Sequence, residues 1–379
     1  MNNRNSKLLY IVVNEDRFLL SHRKDIAIAA QNTGWKVKIF CKDTGQRQNV
    51  EALGLEMVEL PINPTGTNPK EELRTLWFLY NLYRQDKPDV VHHVGLKNIL
   101  WGGIAAKLAK INGVVNAVSG LGVLFSGEDY SLKTKLIMEA MRFANNRKNV
   151  SLIFQNMEDK QLFIDRHIAL PEQCEYIKGS GVNLEEYTYT PEPNIMPVKI
   201  ILTARMVRDK GIDTLIDAAE MLRNEMEGKV VFQLCGGLHN NPKGYKAEEL
   251  EALCDGKYIQ WLGHRNDVRE LLMQSHIVTL PSYYREGLPK SLIEAAAIGR
   301  PIITTKFYGC KDTVDDGESG FLIPIQDPKA LADKLRILLN DKSLREKMGR
   351  CGRLKAEKEF SIINVVNKHL EIYQRLLEP

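Results

Sequence analysis

The sequence predicts an α/β protein with two doubly wound, Rossmann-like domains. Short apolar runs typical of buried parallel strands alternate with helical stretches along almost all of the 379 residues. A chain of this length exceeds one ordinary core, so two domains are expected. The proline-rich, polar stretch 187–197 (YTYTPEPNIMP) reads as a linker between them. We therefore expect domains at 1–187 and 198–360, followed by a C-terminal helix at 361–379.

The composition is that of a soluble globular protein, with 44% hydrophobic and 26% charged residues. The small net charge of +4 argues against nucleic acid as the main partner. Six scattered cysteines without a C-x-x-C predict reduced core thiols rather than a disulfide framework or a metal site. The first apolar run is too short for a membrane span and lacks a signal-peptide cleavage site, so we expect a cytoplasmic protein.

The first domain begins with a strand, a helix and a strand that together make a βαβ unit. The predicted strands are 8–13, 36–41, 53–60, 89–93, 114–118 and 150–155, and the predicted helices are 18–32, 70–86, 97–111 and 132–149. After the first strand the chain reads NEDRFLLSH, where a nicotinamide-cofactor domain needs G-x-G-x-x-G. That class of protein is therefore disfavoured.

Two histidines, His92 and His93, end the strand 89–93. A histidine in a strand is more often a hydrogen-bonded core residue than a ligand. Two in succession at a strand end, followed by Gly95 and Lys97, favour a place in a cleft. Because pleating sends neighbouring side chains to opposite faces, only one of the two histidines is expected to serve there.

The second domain repeats the alternation. Its predicted strands are 198–202, 230–235, 258–262, 276–280 and 302–305, and its predicted helices include 212–223, 327–340, 342–358 and 362–377. The central stretch is 281–299 (PSYYREGLPKSLIEAAAIG), a loop and a helix behind a buried strand, with carboxylates at Glu286 and Glu294. Ligands of open α/β sheets bind at the carboxyl ends of strands, where a helix N-terminus favours anions. The expected backbone donors to a nucleotide diphosphate are those of Gly287, Leu288, Lys290, Ser291 and Leu292.

The motif E-G-L-P-x-S-L-I-E-A-x-A-x-G-x-P resembles the E-x7-E signature of the family 4 glycosyltransferases. The resemblance implies retaining enzymes of the GT-B fold, with two Rossmann-like domains facing across a cleft and a C-terminal helix that returns to the first domain. It implies that Glu286 contacts the sugar hydroxyls and Glu294 the ribose hydroxyls. In this family a histidine at the end of the strand that corresponds to 89–93 commonly contacts the transferred sugar. The resemblance therefore makes both His92 and His93 catalytic candidates.

The loop 203–211 (TARMVRDKG) resembles the family's G/A-R-x-x-x-x-K-G motif. The resemblance implies that Arg205 and Lys210 clamp the two phosphates, which stabilises the charge of the leaving diphosphate without a metal. The loop G-x-x-x-D-V at 263–268 lies beside the nucleobase in the family, so Arg265 and Val268 are expected there. The chain has no D-x-D motif, and we expect neither a metal nor another cofactor.

One departure from the family lies after the first strand. Many members carry a paired-glycine loop that holds phosphate, whereas this chain has Asn14, Glu15 and Asp16. Because an acidic loop repels phosphate, we expect these residues on the acceptor side. Lys97 and Gly120 are placed there as well.

The segments HHVGLKN, GGIAAKLAKI and AVSGLG resemble a subgroup that adds N-acetylhexosamines to lipid-linked oligosaccharides of bacterial surface glycans. The implied partners are a UDP-sugar and a glycan on a polyprenyl diphosphate. Helix 132–149 is basic and amphipathic, which fits an ordinary surface helix or a peripheral contact with anionic lipid at the inner face of the membrane. The alternatives are a transferase with a soluble acceptor, such as a sugar phosphate, and a non-catalytic nucleotide-binding scaffold.

Overall fold

The computed structural model describes residues 6–64, 66, 68–121, 125, 131–239 and 242–378. The chain divides into two compact units: unit 1 comprises Met1–Ser180 and Ile362–Pro379, and unit 2 comprises Gly181–Ser361. Each unit is built on a parallel sheet flanked by helices. Within the described ranges no helix is both long and apolar enough to cross a membrane.

Unit 1 carries a seven-stranded sheet of order β3-β2-β1-β4-β5-β6-β7. Its strands are β1 (Leu8–Glu15), β2 (Lys36–Lys42), β3 (Glu56–Glu59), β4 (Val90–Val94), β5 (Gly113–Val118), β6 (Val150–Phe154) and β7 (Cys174–Tyr176). Its helices are α1 (Asp16–His22), α2 (Lys24–Asn32), α3 (Arg47–Glu51), α4 (Pro69–Asp86), α5 (Leu96–Leu108), α6 (Leu132–Asn145), α7 (Met157–Asp165) and α14 (Ile362–Arg375). Successive residues of β1 enter two different apolar clusters, because both faces of the sheet are covered.

Helix α14 belongs to unit 1 because it packs on α2 and on the sheet. The hydroxyl of Tyr373 lies 2.6 Å from His92 Nδ1, and the ring of His369 lies 5.5 Å from that of His92. Burial lowers the pKa of His369 to about 3, and the pKa of His92 falls well below its usual range through burial and the nearby His369 and Arg23. Both imidazoles are therefore neutral core residues at neutral pH.

Unit 2 carries a six-stranded sheet of order β10-β9-β8-β11-β12-β13. Its strands are β8 (Val198–Thr203), β9 (Val230–Cys235), β10 (Ile259–Trp261), β11 (Ile277–Leu280), β12 (Ile302–Thr305) and β13 (Gly320–Ile323). Its helices are α8 (Ile212–Met226), α9 (Ala247–Leu253), α10 (Val268–Met273), α11 (Lys290–Ile298), α12 (Pro328–Asn340) and α13 (Lys342–Lys355). The strand order reverses between β8 and β11, which makes the crevice between them a topological switch point.

The proline-rich stretch expected as a linker is part of unit 2, and the division falls earlier, between Ser180 and Gly181. Buried arginines hold this stretch in place. Arg345 forms a two-pronged ion pair with Glu192 at 2.8 and 2.6 Å. Arg300 donates to the carbonyl oxygens of Thr190 and Pro191 at 2.9 and 3.2 Å. Composition alone hides these contacts, because the arginines lie more than 100 positions further along the chain.

We expect unit 1 to lose stability as the pH falls below about 6.5, the usual pKa of histidine. The histidines of the unfolded chain bind protons there, whereas His93 and His369, whose pKa values burial lowers to about 4 and about 3, stay neutral in the folded protein. Each buried histidine then lowers the free energy of unfolding by up to about 1.4 kcal/mol per pH unit. The measurement is denaturant unfolding of the full chain at pH 7.5, 6.5 and 5.5.

The matched variants for this experiment are His369→Gln and His264→Gln, because His264 is exposed. The first should flatten the dependence of the free energy of unfolding on pH, and the second should leave it unchanged. An identical slope in His369→Gln and the unaltered chain would contradict the core role of His369.

Candidate active site

The switch point of unit 2 is closed by the loops that follow β8 and β11. The carbonyl oxygen of Asp209, in the first loop, accepts hydrogen bonds from the N–H groups of Tyr283 and Tyr284 at 2.9 and 3.1 Å. The Ser282 hydroxyl also lies 3.1 Å from this oxygen. These contacts hold the phosphate loop (residues 203–211, predicted to bind the diphosphate) against the loop that begins the E-x7-E motif (residues 281–289).

Two glycines allow the loops to approach so closely. Gly211 has φ +79°, and a Cβ there would lie 2.0 Å from the carbonyl oxygen of Pro281. Gly309, which follows β12, has φ +66°, and a Cβ there would lie 1.8 Å from the carbonyl oxygen of Gly287. A side chain at either position would separate the loops, because real Cβ atoms do not approach to these distances and L-residues disfavour positive φ.

An ion pair lies between these loops. Lys210 Nζ donates to Glu286 Oε1 at 2.5 Å, and their side chains are only 13% and 11% exposed. The Ser282 hydroxyl lies 3.0 Å from the same carboxylate oxygen, and the ammonium lies 5.1 Å from the ring centroid of Tyr284. Cys310 is buried nearby: burial and then Glu286 raise the pKa of its thiol to about 12, so the thiol remains protonated.

Arg205 is exposed at the start of the phosphate loop, 3.0 Å from His239 Nε2. Its charge reaches the same site, because Arg205 lowers the pKa of Tyr284, which burial and Glu286 raise above its usual range. The other cation of this loop, Arg208, instead pairs with Glu249 at 2.9 Å and covers the ring of Tyr245. Arg205 and Lys210 are therefore the cations that this loop presents to the site.

Helix α11 begins at Lys290 behind Pro289, without a side-chain N-cap. Gly287 and Leu288 are buried in the preceding loop, and Lys290 and Ser291 are half-buried in the first helical turn. The N-terminus of a helix favours an anion through its dipole and its backbone N–H groups. The sequence supports a helix here through its alanine-rich interior and Gly299, which ends it at φ +88°.

Glu294 lies one turn inside α11 and is 9% exposed. Burial raises the pKa of its carboxyl, while Lys290 and a hydrogen bond from Tyr187 oppose that rise. The Lys290 ammonium lies 3.9 Å from Glu294 Oε1. The two residues predicted beside a nucleobase differ from each other in exposure. Arg265 is exposed and paired with Asp267 at 2.5 Å, whereas Val268 begins α10 and is half-buried against the core.

The histidines proposed as catalytic are buried core residues in the structure, and their catalytic role stays a prediction. Both are fully buried at the end of β4. His93 has a partner on each ring nitrogen, the Tyr83 hydroxyl at 2.9 Å and Asn116 Oδ1 at 2.9 Å. His92 faces Tyr373 on the other side of the sheet, as the pleat requires. Neither imidazole has exposed surface with which to touch a sugar.

Two acceptor-side candidates are structural for the same reason. Asp16 is buried, and its carboxylate accepts hydrogen bonds from the N–H groups of Thr44 and Gln46 at 2.7 and 3.0 Å. Burial acts to raise the pKa of Asp16, but the hydrogen bond from the Thr44 hydroxyl and then the backbone bonds bring it below its usual value. Lys97 donates to the carbonyl oxygens of Asn63 and Gly66 and to Glu72, all within 2.7 Å. All three hydrogens of its ammonium are thereby used.

The remaining acceptor-side candidates stay open. Asn14 Oδ1 accepts a hydrogen bond from Asn98 at 2.8 Å, across the switch point between β1 and β4. Glu15 is half-exposed at the end of β1, and the described part of the chain gives its side chain no partner. Gly120 follows β5 at φ +118°, a conformation that suits glycine.

Sequence reasoning missed three side chains that build the site. Ser282 and Tyr284 lie inside the central motif, but carry no pattern of their own. Tyr187 lies 107 positions before Glu294, in the stretch interpreted as a linker, and nothing in the sequence joins the two. Metal binding gains no support from clustering, because the described residues contain no group of three or more histidine, cysteine or acidic side chains suited to an ion.

The family models match both halves of the chain. "Glycosyl transferases group 1" matches residues 191–355, and "Glycosyl transferase 4-like" matches residues 7–156. The capsular polysaccharide biosynthesis glycosyltransferase CapM of Staphylococcus aureus is 34% identical over 300 residues, covering 76% of this chain and 77% of CapM. The chain therefore belongs to the group 1, family 4-like glycosyltransferases, and it is an enzyme of the hexosyltransferase type.

Two further relatives are named for lipid-linked acceptors. The N,N'-diacetylbacillosaminyl-diphospho-undecaprenol alpha-1,3-N-acetylgalactosaminyltransferase of Campylobacter jejuni is 27% identical, covering 87% of this chain and 89% of its own. The UDP-Gal:alpha-D-GlcNAc-diphosphoundecaprenol alpha-1,3-galactosyltransferase of Escherichia coli is 26% identical, covering 90% and 89%. Among solved structures, Anabaena Alr3699/HepE in complex with UDP matches with TM-score 0.78 at 17% identity, covering 97% and 100%. The GT-B fold is thereby confirmed.

We expect Lys210→Met to destabilise unit 2 by about 1–3 kcal/mol, because it removes a cation in contact with a carboxylate that is only 11% exposed. The double variant Lys210→Met/Glu286→Gln should recover most of that loss, since the carboxylate charge is then removed as well. Denaturant unfolding of the four chains of this cycle measures the coupling.

Arg336→Met is the matched control, because Arg336 pairs with Glu225 and Asp333 at the surface and should cost less than about 1 kcal/mol. If Lys210→Met cost no more than this control, the ion pair would not be a feature of the folded protein in solution.

Proposed function

We propose that this enzyme is a retaining glycosyltransferase that moves an N-acetylhexosamine from a UDP-sugar to a glycan carried on a polyprenyl diphosphate. The observation that carries the proposal is the Lys210–Glu286 pair beside the start of α11. In this proposal Lys210 is the cation for the leaving diphosphate and Glu286 is the carboxylate for the sugar hydroxyls, and the ion pair supports it by holding the two side by side.

In the proposed reaction the acceptor oxygen attacks C1 of the sugar while the bond from C1 to the β-phosphate oxygen breaks. The leaving phosphate takes the acceptor's proton on the same face, so the configuration at C1 is kept. Lys210, Arg205 and the N-terminus of α11 stabilise the charge that grows on the diphosphate. Glu286 accepts hydrogen bonds from the sugar and positions it; it forms no covalent intermediate.

The relatives support the choice of donor and acceptor by their names. Two are named for undecaprenol-diphosphate acceptors and for α-linked N-acetylgalactosamine or galactose. UDP-hexoses carry their sugar in α linkage, so an α-linked product means retention. We extend both features to this chain, and we propose that Glu294 accepts the ribose hydroxyls of the donor, with Val268 and Arg265 toward the base.

We expect the full-length protein to bind one UDP-N-acetylhexosamine in preference to GDP- and ADP-sugars, and to transfer its sugar to a polyprenyl-diphosphate-linked saccharide. Donor binding stabilises the folded state, so a thermal shift detects it before the acceptor is known. Activity should survive chelation by EDTA, because side chains and a helix N-terminus hold the diphosphate. The readouts are thermal stabilisation and product mass.

Three outcomes would contradict parts of this proposal. Absence of any nucleotide-sugar binding or turnover would favour the non-catalytic scaffold. Transfer to a sugar phosphate, but not to the lipid-linked saccharide, would favour the soluble-acceptor alternative. Loss of activity in EDTA that Mg²⁺ restores would overturn metal independence.

The surface of α6 suits a peripheral contact with the inner face of an anionic membrane. Leu132, Leu136 and Phe143 form one exposed stripe on this helix, with exposed fractions of 74%, 62% and 48%. The stripe also contains the exposed Glu139, which pairs with Arg142. By helical geometry, Lys133 and Lys135 flank the stripe on its two sides, and both are exposed. An apolar stripe between lysines is the pattern that binds in the interface of anionic bilayers. We include this contact in the proposal because a polyprenyl acceptor resides in the membrane.

We expect the protein to sediment with vesicles that contain an anionic phospholipid, and Lys133→Glu/Lys135→Glu to weaken this several-fold, since each lysine contributes about 1 kcal/mol near such a surface. Lys347→Glu/Arg350→Glu on α13 is the control with the same change of charge. Equal loss in both variants would show that overall charge, rather than α6, governs binding.

A further inference from the structure

Among the described residues outside α11, Tyr187 is the one whose side chain hydrogen-bonds to Glu294. Burial, and then the Glu294 carboxylate, raise the pKa of the phenol far above its usual value, so the phenol keeps its proton and is the donor. The acceptor is a carboxylate that is 9% exposed. A buried carboxylate without such a donor has fewer ways to keep its charge and its orientation.

The backbone around Tyr187 is fixed to the same helix that carries Glu294. Arg353 donates from one guanidinium nitrogen to the carbonyl oxygens of Tyr187 and Ala297, at 2.7 and 2.8 Å. The Tyr187 N–H donates to the carbonyl oxygen of Asn183 at 2.8 Å. The phenol is therefore held at a set distance from α11 and can impose one orientation on the carboxylate.

The hydrogen bond leaves Glu294 able to bind a diol. An ionised carboxylate offers about four lone-pair positions. The phenol of Tyr187 uses one, and the ammonium of Lys290, 3.9 Å away, lies at contact range of one oxygen. Two positions remain for the neighbouring hydroxyl groups of a ribose, and both hydroxyls can then donate to a carboxylate whose rotation is already stopped.

We propose that Tyr187 is a positioning residue that orients Glu294 for the 2′- and 3′-hydroxyls of the donor nucleoside, and so sets the preference of this enzyme for a ribonucleotide. This inference rests on the proposed function, since it assigns the ribose to Glu294. Tyr187 acts through Glu294 and touches no reacting atom.

The test is calorimetric titration of the full-length chain with UDP and with 2′-deoxy-UDP. The unaltered chain should prefer UDP by about tenfold or more, the equivalent of one hydrogen bond to a charged group. Tyr187→Phe should weaken the binding of UDP more than that of 2′-deoxy-UDP, which has only its 3′-hydroxyl for Glu294, and should therefore reduce the preference by at least about threefold. Tyr187→Gln, whose amide can donate to the carboxylate, should restore part of the preference.

Tyr189→Phe is the matched control, because Tyr189 lies two positions further on and is exposed, at 38%. It should keep the full preference for UDP. A merely structural role of Tyr187 would weaken both nucleotides alike and leave their ratio unchanged, and that result would overturn the inference. A melting curve of each variant establishes that the compared chains are folded.

The pH dependence gives a second, independent readout. Ribose hydroxyls donate to the ionised carboxylate, so affinity for UDP falls as the pH drops through the pKa of Glu294. Lys290 and Tyr187 favour the ionised form, whereas burial and Glu186 oppose it. Removing the phenol should therefore move the loss of UDP affinity to higher pH than in the unaltered chain and in Tyr189→Phe. Coincident profiles would contradict the inference.

Failure of the proposed function is distinguishable from failure of this inference. If the unaltered chain binds UDP and 2′-deoxy-UDP equally, Glu294 does not read the ribose and the proposed nucleoside site is wrong. If the unaltered chain prefers UDP, Glu294→Gln abolishes the preference and Tyr187→Phe keeps it, the nucleoside site stands and the role of Tyr187 is wrong.

Discussion

The ion pair between Lys210 and Glu286 is the interaction on which the site depends. Its partners come from the loops after β8 and β11, and both side chains are largely withdrawn from water. The pair can form only if the two loops lie against each other. The carbonyl oxygen of Asp209 binds one loop to the other, and Gly211 lets them approach because it has no Cβ. In the proposed function a diphosphate shares Lys210 with Glu286, so the charge proposed to bind the leaving group is also one that holds the two loops together.

In unit 1, several polar residues that the sequence offers as site candidates have structural partners instead. Its histidines, Asp16 and Lys97 all have partners within the fold, and these partners explain their places without any substrate. Side chains of this unit that do reach the surface include the half-exposed Glu15 at the end of β1 and the stripe on α6. Acceptor recognition is therefore to be sought among exposed side chains and not among the buried polar groups that the sequence makes conspicuous.

The sequence was sufficient for the fold, and for placing the proposed donor-site residues on their loops and helix, because both depend on local patterns. Apolar runs marked the strands, and the spacing of Arg205, Lys210, Glu286 and Glu294 placed them on loops and a helix that the structure confirms. The rest depended on contacts between distant positions. The burial of His92 beneath α14 is set by residues such as Tyr373, 281 positions away. Tyr187 was missed for the same reason, and the proline-rich stretch looked like a linker because its buried arginine partners lie elsewhere in the chain.

The most direct test of the account is a crystal structure of the protein with a bound UDP-sugar. The account predicts the diphosphate at the N-terminus of α11 within hydrogen-bonding distance of Lys210 and Arg205, the sugar hydroxyls on Glu286, and the ribose hydroxyls on Glu294 with the Tyr187 phenol still bound to that carboxylate. A nucleotide seated away from the switch point of unit 2, with the Lys210–Glu286 pair untouched, would contradict it.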